Sequence, residues 1–221
     1  MAVDNPFPEQ PRGRAWFQTL GLAAIELLPV VGPPATSLIT EGMRQSAREK
    51  DAEWGAMVSA RLDSIERAGV PVDVTEPEFI AAVRHLQNAA AQTADGEKLQ
   101  LLARAAANAG PWSHTELSVR EEYLSLVADL PAAHIKALAL VDAAQEIPGP
   151  GDGGTPPMPF DQFAKDLGGD RSLAQRLMIG LQQRGLFGTP LNGVGDINIE
   201  ITRFGAGLIR FLQEHNQPQI G

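Results

Sequence analysis

The sequence predicts a mainly α-helical chain in two parts, and three observations carry that expectation. Hydrophobic residues make up 43% of the chain but aromatic ones only 5%, so its core is built of Leu, Ala, Ile and Val, as between packed helices. Alanine runs at Ala89-Ala90-Ala91 and Ala105-Ala106-Ala107 add the strongest helix former. The stretch IPGPGDGGTPPMP at 147–159 can hold neither a helix nor a strand ladder and reads as a flexible linker. The expected organisation is a disordered arm over 1–14, a helical hairpin and antiparallel helical bundle over 15–146, the linker, and a small α+β module over 160–215.

Composition limits the chemistry. The 221 residues include no cysteine, which excludes a disulfide framework, a thiolate metal site and a cysteine nucleophile, and fits a reducing compartment. The start MAVDNPFPEQPRG has no basic stretch leading into an apolar one, so no signal peptide is expected and the cytoplasm is the default location. Net charge is −9, which repels a phosphate backbone unless cations gather locally. They do not gather in the module. There Lys165, Arg171, Arg176, Arg184, Arg203 and Arg210 are matched by Asp161, Asp166, Asp170, Asp196, Glu200 and Glu214. The acidity belongs to the N-terminal part.

Along the chain, Ala15 to Ile39 is an apolar stretch whose only ionisable residue is Glu26, and it is broken by Pro29, Gly32, Pro33 and Pro34. Proline removes a helix donor and clashes with the preceding turn, so a helix to Leu28, a PVVGPP turn and a second helix entered at Pro34 are expected. In the second helix Trp54, Met57, Val58, Leu62 and Ile65 recur at helical steps. Its middle, Glu41–Glu53, is polar nearly all round, so it either bridges two parts through solvent or is not continuous. Capping boxes are read at Thr75–Glu78 and Ser118–Glu121, and an N-cap at Asp95. The helices between carry Phe79, Val83 and Leu86, then Leu99, Leu102 and Ala106, then Tyr123, Leu126, Val127 and Leu130, then Ile135, Leu138 and Val141. Short connections make such helices antiparallel neighbours.

Beyond the linker, Phe160–Leu167 reads as a short helix and Asp170 as the cap of a second, which Gly185 ends. Leu186-Phe187 and the alternating Ile197, Ile199 and Ile201 read as strands around a hairpin loop, and Thr202 caps a closing helix with Phe204, Leu208, Ile209 and Leu212. Helix, turn, helix, two strands and a closing helix make a winged helix. The phrase ITRFGAGLIRFL also resembles the ending common in bacterial winged-helix modules, Thr-x-x-Gly-x-x-(Leu/Phe). That resemblance implies fold, not function. In a DNA-reading member the second helix would present Ser172, Gln175, Arg176, Ile179, Gln182 and Gln183 to the major groove. A neutral module is poorly suited to phosphate contact, so nucleic acid is the less favoured partner.

No catalytic, cofactor or metal site is expected. His85, His114, His134 and His215 are isolated from companions at zinc-binding spacing, and no phosphate-cradling glycine loop follows a strand. The apolar hairpin, with Trp16, Phe17, Leu20, Leu22, Ile25, Leu27 and Leu28, is the other candidate interaction element. Arg12 and Arg14 precede it, and Arg44, Arg48 and Lys50 follow, the layout of an interfacial membrane hairpin. Its first arm, about 20 Å of helix, is too short to cross a bilayer alone.

The N-terminal region resembles bacterial helical proteins linked to phage abortive infection, the Abi-alpha type. The features are the LPVVGPP turn, Asp95-x-Glu97-Lys98-x-x-x-Leu102, Glu122-Tyr123-Leu124, His134-Ile135-x-x-Leu138 and the winged-helix-like tail. The resemblance implies a role in antiviral defence or cell-death control and carries over no catalytic residue. The expected function is that of a non-enzymatic bacterial interaction protein, an adaptor or sensor that binds protein or assembles with itself. The alternatives are a membrane-active effector inserting its hairpin at 15–40, and a winged-helix transcription regulator.

Overall fold

The structure is a computed structural model that describes residues 34–145, 157–188 and 197–213. It is mainly helical, with a small antiparallel sheet near the C-terminus. The hairpin residues Trp16 to Leu28 and the linker residues 147–156 lie outside the described residues, as does most of the loop between the last two strands.

Helix α1 runs from Pro34 to Arg67, about 50 Å at the α-helical rise. It passes unbroken through the polar middle, which settles that segment as continuous helix. Gln45, Arg48 and Glu49 are exposed. Lys50 Nζ donates to the carbonyl of Thr93 at 3.3 Å, and from Trp54 onward Trp54, Val58, Leu62 and Ile65 are buried. A short turn leads to α2 (Pro77–Gln92), antiparallel to α1. Then come α3 (Gly96–Asn108), a 3-10 turn at Pro111–His114, α4 (Leu117–Asp129) and α5 (Ala132–Gln145). Asp95 caps α3, accepting from the Glu97 N–H.

Neither predicted capping box forms. The Thr75 hydroxyl donates to Asp73 at 2.6 Å, because an aspartate two residues upstream offers a charged acceptor within one turn. Glu78 is thereby free to pair with Arg120 of α4. Helix α4 begins after Glu116, whose carboxylate accepts a hydrogen bond from the Ser118 hydroxyl at 2.8 Å.

The C-terminal elements are β1 (Met158–Pro159), α6 (Phe160–Asp166), α7 (Arg171–Gln183), β2 (Phe187–Gly188), β3 (Asn198–Ile201) and α8 (Arg203–Leu212). Sheet order is β1-β3-β2, both pairings antiparallel, with Met158 opposite Ile199 and Phe187 opposite Ile201. Met158 and Pro159, which composition placed in the linker, therefore form an edge strand. An edge position tolerates a proline that cannot donate to the ladder. Of the alternating isoleucines Ile199 is fully buried, whereas Ile197, ahead of the strand, is 52% exposed.

One buried core runs through both parts of the chain. Helix α5 is its hinge point, packing on α3 of the bundle and on α7, α8 and β3 of the C-terminal elements. Its Gln145 side chain accepts from the Ile201 N–H at 3.3 Å and donates to the Ile199 carbonyl at 3.4 Å, so an amide serves the sheet where β1 is too short to pair.

Candidate functional site

Helix α7 carries the predicted recognition face. Asp170 accepts from the Leu173 N–H at 3.0 Å and starts the helix, and Gly185 ends its C-terminal turn at φ +71°, where only glycine is unstrained. Ala174, Leu177, Met178 and Leu181 are buried, on the side where α5 and α6 pack. That fixes the rest of the helix outward. Ser172, Gln175, Arg176 and Gln183 are exposed and Gln182 is half-buried, and Ile179 is 40% exposed. The structure thus brings the five predicted polar residues to the outer side of one helix.

Two cations along this helix have acidic neighbours in exposed ion pairs. At its start, Arg171 pairs with Asp161 at 2.5 Å and lies 5.3 Å from the Phe160 ring centroid. At its end Arg184 reaches Asp129 of α4 at 4.0 Å. Arg176 makes no ion pair among the described residues and is the cation this face presents outward. The surface is therefore polar and nearly neutral, with an aliphatic side chain at its centre.

Behind that face, α7 meets α5 at close range. A Cβ placed on Gly180 would lie 2.9 Å from His134 Nε2, and His134 Nδ1 is buried without a hydrogen-bond partner. Burial holds the imidazole below its usual 6.5, and the neighbouring Arg184 lowers it further. Because the folded-state pKa is depressed, the unfolded chain takes up this proton first, and stability falls as pH drops through 6.5. We expect His134→Leu to flatten the loss of thermal stability between pH 7 and pH 5.5. An undiminished slope in that variant would remove His134 as its source.

The two parts meet at an aromatic seam. Phe211 of α8 stands edge-on to Trp112 at 5.4 Å and lies 5.7 Å from Tyr123 of α4, which in turn lies 5.0 Å from Phe204. Asn108, the last residue of α3, donates from Nδ2 to the Phe211 carbonyl at 2.5 Å and so satisfies the open end of α8. Burial raises the Tyr123 hydroxyl pKa.

Among the described residues, clefts open on the bundle at two places of note. One, about 520 Å³, lies over the ends of α2 and α4 and includes Asp95, Lys98 and Asp129. The Lys98 ammonium donates to the carbonyls of Val127 and Leu130, closing the C-terminal end of α4, a favourable place for a cation. Burial lowers its pKa to about 8, opposed by Asp129 and then Asp95. Its chemistry here is that of a cap. The other cleft, about 450 Å³ between α2 and α4, has a mostly apolar lining that includes Ala81, Leu117 and Leu124. Arg120 at its base is 4% exposed and bound to Glu78.

Among the described residues no group of three His, Asp or Glu side chains could hold a metal ion, and no helix is long and apolar enough to cross a membrane. His85 is exposed. Sequence reasoning did not single out Asn108, Arg120 or Gln145, because each finds its partner at least 40 residues away, or at a backbone carbonyl, and leaves no local pattern; Arg120 and Glu78 are separated by 42 positions.

The fold and these surfaces define a mainly helical protein whose C-terminal sheet and helices are welded to a helical bundle. No family model, curated protein or solved structure matches the chain.

Proposed function

We propose that this chain is a non-enzymatic bacterial interaction protein, an adaptor or sensor, whose C-terminal elements form a winged helix used for protein contact. The order α5-β1-α6-α7-β2-β3 with sheet order β1-β3-β2 supports the winged-helix reading, with α5 as its first helix. The observation that carries the choice of partner is the outer face of α7. The arginines at its two ends lie beside Asp161 and Asp129, and Ile179 is exposed among glutamines. A duplex rewards free cations, whereas a protein partner rewards a central apolar group in a polar rim. What the Abi-alpha resemblance implies for this role is antiviral defence or cell-death control.

The test is a titration of the full chain with duplex DNA at physiological salt. Weak binding, without sequence preference and unaffected by Arg176→Ala, is expected. Submicromolar, sequence-dependent binding that Arg176→Ala abolishes would establish the transcription-regulator alternative instead.

A further inference from the structure

We infer that the cleft between α2 and α4 is the docking site for the basic-aromatic stretch Arg12–Phe17 of a second copy of this chain, an inference that rests on reading the chain as a self-assembling interaction protein. The cleft is a place where the bundle leaves apolar surface uncovered. Ala82 and Leu124 form its buried floor, and Leu117 on its edge is 44% exposed. Its rim is anionic. Glu78 and Glu121 are exposed, and the one arginine in the lining, Arg120, is buried and already serves Glu78 and the Ala109 carbonyl. A complementary occupant is short and carries both aromatic surface and free cations. A helix-in-groove or extended anchor of this kind is a recurring mode of recognition.

The sequence holds such a segment outside the described residues. Arg12 and Arg14 are the only Lys or Arg residues before Pro34, and Trp16 and Phe17 follow them directly. Helix α1 argues for a second copy as the donor. Lys50 reaches the Thr93 carbonyl at the far end of α2, and Pro34 begins α1 sixteen residues earlier, on the order of 24 Å along the helix from that contact. The cleft lies along the first half of α2, at Pro77 to His85. A return from Pro34 to the cleft in the same molecule covers on the order of 40 Å. That is most of the reach of residues 18–33 if fully extended, roughly 55 Å. A second copy carries no such restraint.

The experiment measures the mass of the full-length chain by light scattering after size exclusion. A fluorescent peptide of residues 9–20 serves as the probe. We expect the wild-type chain to be larger than a monomer, and Leu117→Asp and the pair Arg12→Glu, Arg14→Glu each to weaken self-association about tenfold or more without changing circular dichroism. The peptide is expected to bind the wild type and to lose that binding with Leu117→Asp. Should Leu117→Asp misfold, Glu121→Arg is expected to weaken assembly and then restore it when combined with Arg12→Glu and Arg14→Glu. Assembly that survives all these changes overturns the docking site while leaving self-assembly intact. A monomeric wild type removes the self-assembly reading itself. Loss of binding to anionic vesicles, with mass unchanged, would assign the Arg12–Phe17 stretch to a membrane and likewise overturn the docking site.

Discussion

Replacing Phe211 with alanine is expected to cost about 3–5 kcal/mol, the range for deleting a fully buried aromatic ring. Phe211 is fully buried, and its ring bridges Trp112 and Tyr123 across the seam between the bundle and α8. Its carbonyl is also the one that Asn108 holds, so a shift of the emptied helix loosens that bond too. Since a single core spans both parts, the loss should appear in one cooperative transition, with tryptophan fluorescence and circular dichroism falling together in urea. Two separated transitions, with only the later elements weakened, would show that α8 and the sheet fold as an independent unit. A cost below about 1 kcal/mol would mean that the seam is not closely packed.

A second large effect is expected at Gly205, and its sign runs against helix propensity. Alanine normally stabilises a helix relative to glycine by about 0.5–1 kcal/mol. Here a Cβ would stand 2.5 Å from the Leu186 carbonyl oxygen and 2.9 Å from Ile201 Cγ1. Neither can retreat freely. The Leu186 carbonyl accepts the Thr202 N–H at 3.0 Å, and Ile201 is locked in the ladder opposite Phe187. Gly205→Ala should therefore destabilise by about 1–3 kcal/mol, the usual cost of overpacking. Gly96, at the start of α3, is the control, because a Cβ there meets nothing within 4 Å. Gly96→Ala should be neutral or mildly stabilising. Equal effects of the two substitutions in thermal melts would sink the argument.

Gly205 also gives the physical content of the Thr-x-x-Gly pattern seen in the sequence. Thr202 Oγ1 accepts the Gly205 N–H at 3.0 Å and donates to the Gly185 carbonyl at 2.7 Å, so a single hydroxyl starts α8 and ties it to the end of α7. Glycine at the third position lets the new helix lie against β2. The cap was legible because Thr202 and Gly205 are three residues apart, whereas the Gly185 and Leu186 carbonyls that complete the motif lie 17 and 16 residues from Thr202.

The sequence by itself determined the helices, their inward faces and the local caps. Trp54, Val58, Leu62 and Ile65, then Phe79, Val83 and Leu86, and Ala174, Leu177, Met178 and Leu181 are buried as their spacing requires, since a 3.6-residue period leaves one face for the core. Asp95, Asp170 and Gly185 act within a few residues of themselves, as does Thr202 in capping α8. Tertiary structure decided what depends on distant partners. Asp73 rather than Glu78 engages Thr75, Glu78 crosses to Arg120, Lys98 closes the end of α4, and Met158-Pro159 becomes a strand by pairing with β3. It also joined the two parts that the glycine-proline stretch divides, because α5 has apolar residues for two sets of neighbours, and composition along the chain cannot say which surfaces will share them.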